Sequence, residues 1–591
     1  MTDISGGQRI AAMLAAEGVE VVFGIIDGTY FGLYSHLRDH DIRLVTPRHE
    51  TTALHMAGAY ARLTGRLGVA IASNGPGVAN ALPGVAVENG EGNRVLLITS
   101  WRRHPIVGPD RGGTYQYFDQ PAVIRPMAKW SGAAMSFDRL PELMHRALRI
   151  SWRGRPGVVH LTVPEDVMNT PHAAPAVPDV GPERYRRTVP VEPPGALVEE
   201  AAVLLAEAAA PLVHAGSGVL HARATEELRR VAELLAAPVT TSWAARDVLD
   251  ERLAVSLPMP YTDLCTAARN DADVVLAVGS RLGETDWWGK APYWRRPTEQ
   301  RLVQVDVDEE VLGLNKPADV AVLGDAALFL ARLADRLEQP DLAAVLATRR
   351  DARTARLAAY GEQRAAARAA LDQARAATGD PVHSAQLAPA VQEVFPEDTV
   401  LVVDGGNTAI WANLFHEVRV PHSLLSTYKF GMLGAGVAQA LGARTAHPDR
   451  PVVCLTGDGA FGFHPQEVET AVRNELPVVV VVAVDRAWGM VKVNQEFALN
   501  PQKLVAEGGL PDEERINTDL GEIRYDLMAE SMGALGLRVS AFRDLRPALQ
   551  TALEAVTGGR TVVVHVDVDR TAHKFAPSLL TFKEMHQEPA G

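Results

Sequence analysis

The chain has 591 residues, of which 47% are hydrophobic and 22% are charged, as is ordinary for a folded globular protein. This length is too great for one hydrophobic core and predicts about three or four domains. The formal net charge of −14 argues against a general nucleic-acid-binding protein. Two cysteines, Cys265 and Cys454, are too few and too widely spaced for a disulfide framework or a thiolate zinc site, and they indicate a reducing compartment.

The N-terminal residues include early acidic side chains and no long apolar core, so we expect no signal peptide. The longest apolar run, 478–484, is much shorter than the roughly 20 residues that a membrane-spanning helix needs. We therefore expect a cytoplasmic protein that binds neither membranes nor nucleic acid.

Residues 1–170 alternate helical patterns with short β-branched runs, which predicts a parallel sheet with helices on both faces. A proline-rich linker at 171–194 follows, and residues 195–340 repeat the alternation. An Ala/Arg/Glu-rich stretch at 342–377 predicts a solvated helix, and residues 380–570 form a third alternating unit. The predicted fold class is α/β, with three doubly wound parallel-sheet domains. The C-terminal tail, 571–591, has little regular pattern and is either a flap over a site or surface coil.

The sharpest functional signal lies at two strand ends of the third unit. One buried run ends in Gly457-Asp458-Gly459-Ala460, and the next buried run ends in Asp485-Arg486-Ala487. Because ligands of parallel sheets bind where strands end, we expect the two aspartates side by side. Carboxylates are hard oxygen ligands that suit Mg²⁺, a diphosphate can supply more, and the glycines let backbone N–H groups approach phosphate. The alternative is a turn with two solvated aspartates.

A GDG turn followed, after one helix and one strand, by a strand that ends in an amide pair resembles the cofactor motif of the thiamine diphosphate (ThDP) superfamily, which includes acetolactate synthase. The resemblance implies that Asp458 and Asp485 bind Mg²⁺ through their side chains and that Ala487 binds it through its carbonyl. The sequence departs from the family pattern at Val484 and Asp485, where two asparagines are usual.

The same resemblance assigns an acid in the first unit. A strand pattern runs to His49, and Glu50 begins a helix that is rich in small residues. In the family a glutamate in this setting activates the aminopyrimidine ring of the coenzyme, and Glu50 would do so here. The alternative is ordinary helix capping.

Further coenzyme contacts are implied in the third unit. Gly406, Asn407 and Thr408 follow a strand and would bind the diphosphate, together with the backbone of Gly459 and Ala460. Leu433 precedes a Gly-x-Gly and resembles the bulky apolar residue that bends the coenzyme in the family, although a leucine here is otherwise plain core. Because the family places the glutamate and the metal motif on different subunits, a homodimer at least is implied, and a homotetramer is expected.

The middle unit bears on the choice of family member. Flavin-containing acetolactate synthases have an Arg-Phe-Asp-Asp-Arg-type motif where this chain has 280–284, which argues against bound FAD. Arg281 and Asp306 resemble the ADP-binding positions of oxalyl-CoA decarboxylase and 2-hydroxyacyl-CoA lyase, with Arg155 as a weaker third candidate. All three are equally compatible with ordinary surface residues, so ADP is an open additional ligand.

Substrate contacts are expected at two places. Tyr115 and Gln116 lie in a stretch that resembles a substrate-facing segment of oxalyl-CoA decarboxylase, and the helix after the metal motif offers Met490 and Glu496. This combination is closest to 2-hydroxyacyl-CoA lyase, which would cleave a 2-hydroxyacyl-CoA to formyl-CoA and an aldehyde or ketone, reversibly, with Gln116 or Glu496 handling the hydroxyl proton.

Two alternatives stay open. A flavin-free, acetolactate-synthase-like lyase or decarboxylase would act on a free 2-oxo acid, and a non-catalytic homologue would only bind the coenzyme. A simple Rossmann dehydrogenase is disfavoured because no strand leads into a GxGxxG turn.

Overall fold

The computed structural model describes residues 3–107, 112–173, 180–376, 378–507, 514 and 516–577. Three parallel sheets with helices between their strands confirm the predicted α/β class. Each large sheet lies inside one of the three predicted domains, whose limits stay a prediction. Backbone contacts divide the chain into two compact units, unit 1 (1–189, 429–449 and 464–477) and unit 2 (190–428, 450–463 and 478–591). Within the described ranges, no helix combines the length and apolarity that crossing a membrane would require.

The main sheet of unit 1 has six parallel strands in the order β3-β2-β4-β5-β7-β6, and a two-stranded antiparallel pair, β1-β8, lies apart from it. Its central strands are buried on both faces, as expected where helices cover a parallel sheet. The strands are β1 (Ile4–Ser5), β2 (Val21–Gly24), β3 (Arg43–Val45), β4 (Gly68–Ala72), β5 (Val95–Trp101), β6 (Trp130–Ala133), β7 (Val158–Pro164) and β8 (Pro171–His172). The helices are α1 (Gly6–Ala16), α2 (Phe31–Tyr34), α3 (Glu50–Thr64), α4 (Pro76–Glu91), α5 (His104–Val107), α6 (Gln120–Ile124), α7 (Leu140–Trp152) and α8 (Glu165–Asn169).

The predicted linker is wrong at its described ends. Pro171–His172 forms strand β8, and Tyr185 is buried in the core of unit 1. Arg186 forms an ion pair of 2.7 Å with Glu17. Prolines therefore do not mark free chain here, because residues of this segment are held by contacts with other residues of unit 1. Residues 174–179 lie outside the described residues.

Unit 2 contains the second sheet, with parallel strands in the order β10-β9-β11-β12-β13. The strands are β9 (Pro211–Ala215), β10 (Val239–Thr241), β11 (Val274–Val278), β12 (Arg301–Asp306) and β13 (Val320–Leu323). The helices are α9 (Gly195–Glu207), α10 (Ser217–His221), α11 (Thr225–Leu235), α12 (Thr262–Asp271), α13 (Ala326–Leu337) and α14 (Pro340–Arg375).

The long helix α14 confirms the predicted helix but not its full solvation. Arg353 is only 3% exposed, and its guanidinium donates to the carbonyls of Leu205, Ala206, Ala208 and Leu235. One face of the helix is thus anchored to neighbouring helix ends, whose last carbonyls lack intrahelical donors.

Unit 2 also contains the third sheet, in the order β15-β14-β16-β17-β19-β18, all parallel. The strands are β14 (Val400–Asp404), β15 (Leu424–Leu425), β16 (Val452–Gly457), β17 (Val479–Val484), β18 (Leu535–Val539) and β19 (Val562–Asp567). Its flanking helices in unit 2 are α15 (Leu387–Val394), α16 (Asn407–Phe415), α18 (Asp458–Phe461), α20 (Gly489–Leu499), α21 (Pro501–Glu507), α22 (Tyr525–Ser531), α23 (Phe542–Thr557) and α24 (Arg570–His573). Two helices from this part of the sequence, α17 (Gly436–Ala446) and α19 (Glu467–Arg473), belong to unit 1.

The start of the predicted C-terminal tail is partly helical and partly buried. His573, Lys574 and Ala576 are at most 7% exposed, and α24 continues directly from the third sheet. Residues 578–591 lie outside the described residues, so the rest of the tail prediction stays untested.

Candidate functional site

The carboxyl ends of three adjacent strands place the residues of the predicted metal motif on one edge of the third sheet. Asp404 of β14 is in register with Thr456 of β16, and Gly457 is in register with Ala483 of β17. The turns that follow these strands therefore emerge together, as the parallel arrangement predicts.

Asp458 and Asp485 are buried next to each other at this edge, with 3% and 4% of their surfaces exposed. The amides of Gly459 and Arg486 both donate to the Asp458 carboxylate at 2.8 Å, and the amide of Ala487 donates to Asp485 at 3.2 Å. Burial, and then the charge of Asp485, hold the pKa of Asp458 well above its usual range. A divalent cation between the two carboxylates would offset this repulsion.

The Ala487 carbonyl faces the same turn. Arg486 has a left-handed backbone (φ 54°), which reverses the chain after β17. A Cβ on Gly459 would lie 3.8 Å from the Ala487 oxygen and 3.0 Å from the Trp488 ring, so a side chain at 459 would crowd this turn. The structure therefore brings all three predicted metal ligands together.

Asn407 provides an independent test of whether a polar ligand fits. It begins α16, is 4% exposed, and neither its side-chain oxygen nor its nitrogen has a hydrogen-bond partner in the described structure. A Cβ on Gly489 would lie 2.8 Å from the Asn407 nitrogen and 3.0 Å from an Asp485 oxygen, which locates the amide beside the carboxylates. A buried amide without partners at a helix N-terminus suits an anion such as a diphosphate.

Two neighbours complete this edge. If Gly457 had a Cβ, that atom would lie 2.9 Å from the Thr408 hydroxyl oxygen. A Cβ on Gly406 would lie 3.1 Å from Met490, at the start of α20.

No group of three or more His, Cys, Asp or Glu side chains able to hold a metal occurs among the described residues. A cation at Asp458 and Asp485 would therefore also need backbone or ligand oxygens, which agrees with the predicted set.

In unit 1, Glu50 lies in the first turn of α3 but does not cap it. His49 is the N-cap, and its side chain accepts from the amide of Thr51 at 3.2 Å. The Asn80 side chain donates to the Glu50 carboxylate at 3.1 Å. Burial, then Asp27 and then Glu50, raise the pKa of Tyr30, so these acidic groups share one neighbourhood. Glu50 is thus available to another partner, and Asn80 orients it.

The segment that carries Leu433 is held firmly in unit 1. Leu433 is half-buried in a turn before α17, and buried Glu91 accepts from the amides of Lys429 and Phe430 at 2.7 and 3.0 Å. Helix α17 then crosses α3 so closely that a Cβ on Gly442 would lie 2.4 Å from the Met56 carbonyl. Sequence analysis did not identify Glu91, because nothing in its local pattern distinguishes it from a helix-end glutamate.

The predicted substrate residues of unit 1 lie on a loop. Tyr115 is 73% exposed, whereas Gln116 is half-buried with a left-handed backbone (φ 54°). The Gln116 carbonyl accepts from the Asn74 side chain at 3.0 Å, which ties the loop to the turn after β4. Residues 108–111, just before this loop, lie outside the described residues.

Glu496 has a partner that sequence analysis missed. Both of its oxygens accept from the Lys574 ammonium, at 3.0 and 2.9 Å, and the two side chains are 1% and 8% exposed. The sequence predicts that Gln116 or Glu496 handles the hydroxyl proton of the substrate. That role stays a prediction.

The predicted ADP residues do not form one group. Asp306 ends β12 beside β11, and Arg281 follows β11 and is exposed, so these two share an edge of the second sheet. Arg155 belongs to unit 1, where its guanidinium donates to the carbonyls of Asn89 and Gly90.

Comparison with known proteins agrees with this arrangement. Residues 4–123, 198–333 and 404–566 match the family models described as the N-terminal TPP binding domain, the central domain and the C-terminal TPP binding domain of thiamine pyrophosphate enzymes. Each match falls in the region of one of the three large sheets, and the central match spans all five strands of the second sheet.

Curated relatives match along most of the chain. They include a sulfoacetaldehyde acetyltransferase of Alcaligenes xylosoxydans xylosoxydans (31% identical, over 93% of this chain and 91% of the relative). A probable 2-ketoarginine decarboxylase of Pseudomonas aeruginosa is 33% identical over 83% of both chains. A probable acetolactate synthase large subunit of Methanocaldococcus jannaschii is 28% identical over 93% of this chain and 90% of the relative. With its strand-edge carboxylates, its unpartnered asparagine and these matches, the chain belongs to the thiamine pyrophosphate enzyme family.

Proposed function

We propose that the protein is a ThDP- and Mg²⁺-dependent enzyme that breaks or forms a carbon–carbon bond next to a carbonyl. The observation that carries this proposal is the buried Asp458–Asp485 pair beside the unpartnered Asn407 amide. The chemistry that ThDP supplies when bound is reversible addition to a carbonyl, which stabilises negative charge at that carbon.

The chain's own residues would share the remaining tasks. Asp458, Asp485 and the Ala487 carbonyl would hold Mg²⁺, and Asn407 and Thr408 would bind diphosphate oxygens. Glu50, oriented by Asn80, would exchange a proton with the coenzyme ring. Leu433 would press against the coenzyme, and the Glu91 contacts would keep its loop in place.

For the substrate, we propose a free 2-oxo acid, and hence the lyase or decarboxylase alternative of the sequence analysis. One relative, at 33% identity, is named a 2-ketoarginine decarboxylase, which supports a substrate of this class. The ion pair of Glu496 with Lys574 also weakens one argument for the acyl-CoA reaction, since that carboxylate already has a cationic partner.

The second candidate is the 2-hydroxyacyl-CoA lyase reaction. It is favoured by Arg281 and Asp306, which lie at neighbouring strand ends of the second sheet, where a nucleotide phosphate and ribose would find a cation and a carboxylate. ADP as an additional ligand depends on this candidate alone.

One experiment distinguishes the two candidates. The purified protein, with ThDP and Mg²⁺, is given pyruvate and longer 2-oxo acids in one series and 2-hydroxyacyl-CoA thioesters in another, and CO₂, aldehyde or ketone, and formyl-CoA are measured. We expect products from a 2-oxo acid, and formyl-CoA from the thioesters would instead establish the second candidate.

Glu50→Gln is expected to lower kcat by at least about 100-fold, as for removal of a general acid–base group, while ThDP still binds. The matched control is Glu142→Gln, which changes an exposed glutamate of the same unit. Undiminished turnover in Glu50→Gln, or no turnover with either substrate class in the unchanged protein, would contradict the proposal.

A further inference from the structure

His573 is a buried histidine of the C-terminal segment that sequence analysis did not connect with the site. It ends α24, is 3% exposed, and lies between residues from two other parts of unit 2. Its Nδ1 lies 2.6 Å from the Ser384 hydroxyl, and its Nε2 lies 3.4 Å from the Thr408 hydroxyl. Both ring nitrogens are therefore within hydrogen-bonding distance of hydroxyl groups, one of which belongs to the proposed diphosphate site.

The segment is fixed in place by contacts that do not involve Thr408. Asp569 caps α24 by accepting from the amides of Thr571 and Ala572, at 2.9 and 3.1 Å. The Trp411 indole donates to the His573 carbonyl at 2.7 Å, and the next residue, Lys574, forms the buried ion pair with Glu496. These contacts fix the backbone before and after His573, so its imidazole is held in place beside Thr408.

One of the two neutral tautomers of the ring can donate to Thr408. A neutral imidazole has one donor and one acceptor nitrogen, and burial lowers the pKa of His573, which favours the neutral form. The Ser384 hydroxyl can donate to Nδ1, which leaves the proton on Nε2 to be donated to the Thr408 oxygen. Thr408 then accepts from the histidine, and its own hydrogen is free to point to an acceptor at the strand edge.

We propose that His573 is a positioning residue that orients the Thr408 hydroxyl so that it donates to a diphosphate oxygen of the coenzyme. The inference rests on the proposed function, because it needs the diphosphate at Thr408. It extends that function by including the C-terminal segment in the coenzyme site.

The test measures coenzyme binding rather than turnover. The apoprotein, at fixed Mg²⁺, is titrated with ThDP while its tryptophan fluorescence is followed, which is informative because Trp488 adjoins the Asp458 turn. We expect His573→Phe, which keeps a ring but has no donor or acceptor, to raise the ThDP Kd about tenfold, as loss of a residue that orients a ligand-binding group commonly does. Thr408→Val should weaken binding by at least as much.

A double-mutant cycle tests whether His573 acts through Thr408. The combined Thr408→Val/His573→Phe protein should bind ThDP about as weakly as Thr408→Val alone, because both changes remove the same hydrogen bond. His565→Phe is the matched control: this buried histidine of β19 bonds to Asp567 and should leave the ThDP Kd unchanged.

Each outcome is decisive. An unchanged ThDP Kd in His573→Phe, or fully additive losses in the double mutant, would overturn the inference alone, whereas no ThDP binding by the unchanged protein would overturn the proposed function. If His573→Phe does not fold, Ser384→Ala keeps the histidine ring and removes the hydroxyl that donates to it. That variant should still weaken ThDP binding several-fold, and wild-type binding by it would also overturn the inference.

Discussion

At the residue scale, the site consists of polar groups that are buried before any ligand is considered. Asp458 and Asp485 share one strand edge with little solvent, and Asn407 keeps both side-chain polar atoms without partners there. Burying such groups without partners makes folding less favourable, and only a cation and an anion that bind them offset this free energy. The site is therefore expected to be less stable on its own than with Mg²⁺ and ThDP.

The raised pKa of Asp458 makes this cost depend on pH. The folded apoprotein keeps a proton that the unfolded chain releases above about pH 4, so this group makes folding less favourable as pH rises from there towards its raised pKa. Asp458→Asn removes the charge, and its Tm relative to that of the wild type should rise with pH when both are measured with a chelator present.

Adding Mg²⁺ and ThDP should reverse the order, because only the wild type keeps both metal-binding carboxylates. Differential scanning fluorimetry from pH 5 to pH 8 provides the measurement. A Tm difference that is constant over this pH range would show that the charge of Asp458 does not destabilise the folded protein.

At the element scale, helix α20 and the C-terminal segment depend on each other. Met490 at one end of α20 lies against Gly406, and Glu496 nearer the other end pairs with Lys574. Arg570 of α24 also donates to Asp519, which forms an ion pair with Lys492 of α20. These contacts join the segment after β19 to helix α20.

Breaking the buried pair should be costly. Lys574→Met leaves the Glu496 carboxylate buried without a cation and should lower the free energy of unfolding by about 3 kcal/mol, as seen when one partner of a buried ion pair is removed. Lys574→Met/Glu496→Met should cost clearly less, because no unpaired charge is left. Urea unfolding followed by fluorescence measures both.

The matched control changes Lys492, which lies on α20, the helix that contains Glu496. Lys492→Met breaks the half-exposed pair with Asp519 and should cost less than about 1 kcal/mol. Equal losses for Lys492→Met and Lys574→Met would show that burial does not set the strength of the Lys574 pair.

At the scale of the whole molecule, the proposed half-sites belong to different compact units. Glu50 and Leu433 lie in unit 1, whereas Asp458, Asp485 and Asn407 lie in unit 2. The family resemblance implies that one coenzyme is shared between subunits, so we propose that the active form is at least a dimer and that a tetramer combines two such dimers.

Complementation between inactive chains tests this assembly. Glu50→Gln and Asp458→Asn are each expected to be inactive, but when they are co-expressed or refolded together, random pairing should restore about a quarter of the wild-type activity, because half of the dimers then contain one intact site. Activity of the mixture is compared with that of each variant alone. An inactive mixture, with hybrid dimers demonstrated by two different affinity tags, would show that both residues of a site come from one chain.

Much of the secondary structure could be predicted because its cause is local. Strand β17 is a run of valines, and β16 is a similar run that ends in glycine, so burial on both faces was readable from composition alone. Strands such as β6 and β18 are harder to predict, because each contains a glycine and fewer β-branched residues. The solvation of α14 was overestimated, since only the packed structure shows that Arg353 faces helix ends.

Three parallel sheets, and the sheet edge at which Asp458 and Asp485 meet, could be predicted from the residues alone, because strand pattern and crossover length act over tens of residues. Three contacts emerge only from the packed fold: Glu91 holds the Leu433 loop, Lys574 neutralises Glu496, and His573 reaches Thr408. Those partners are separated by 78 residues or more, and each contact uses the side chain of at least one of them. No local propensity encodes such pairs; they arise when independently formed elements pack and buried polar groups must find partners.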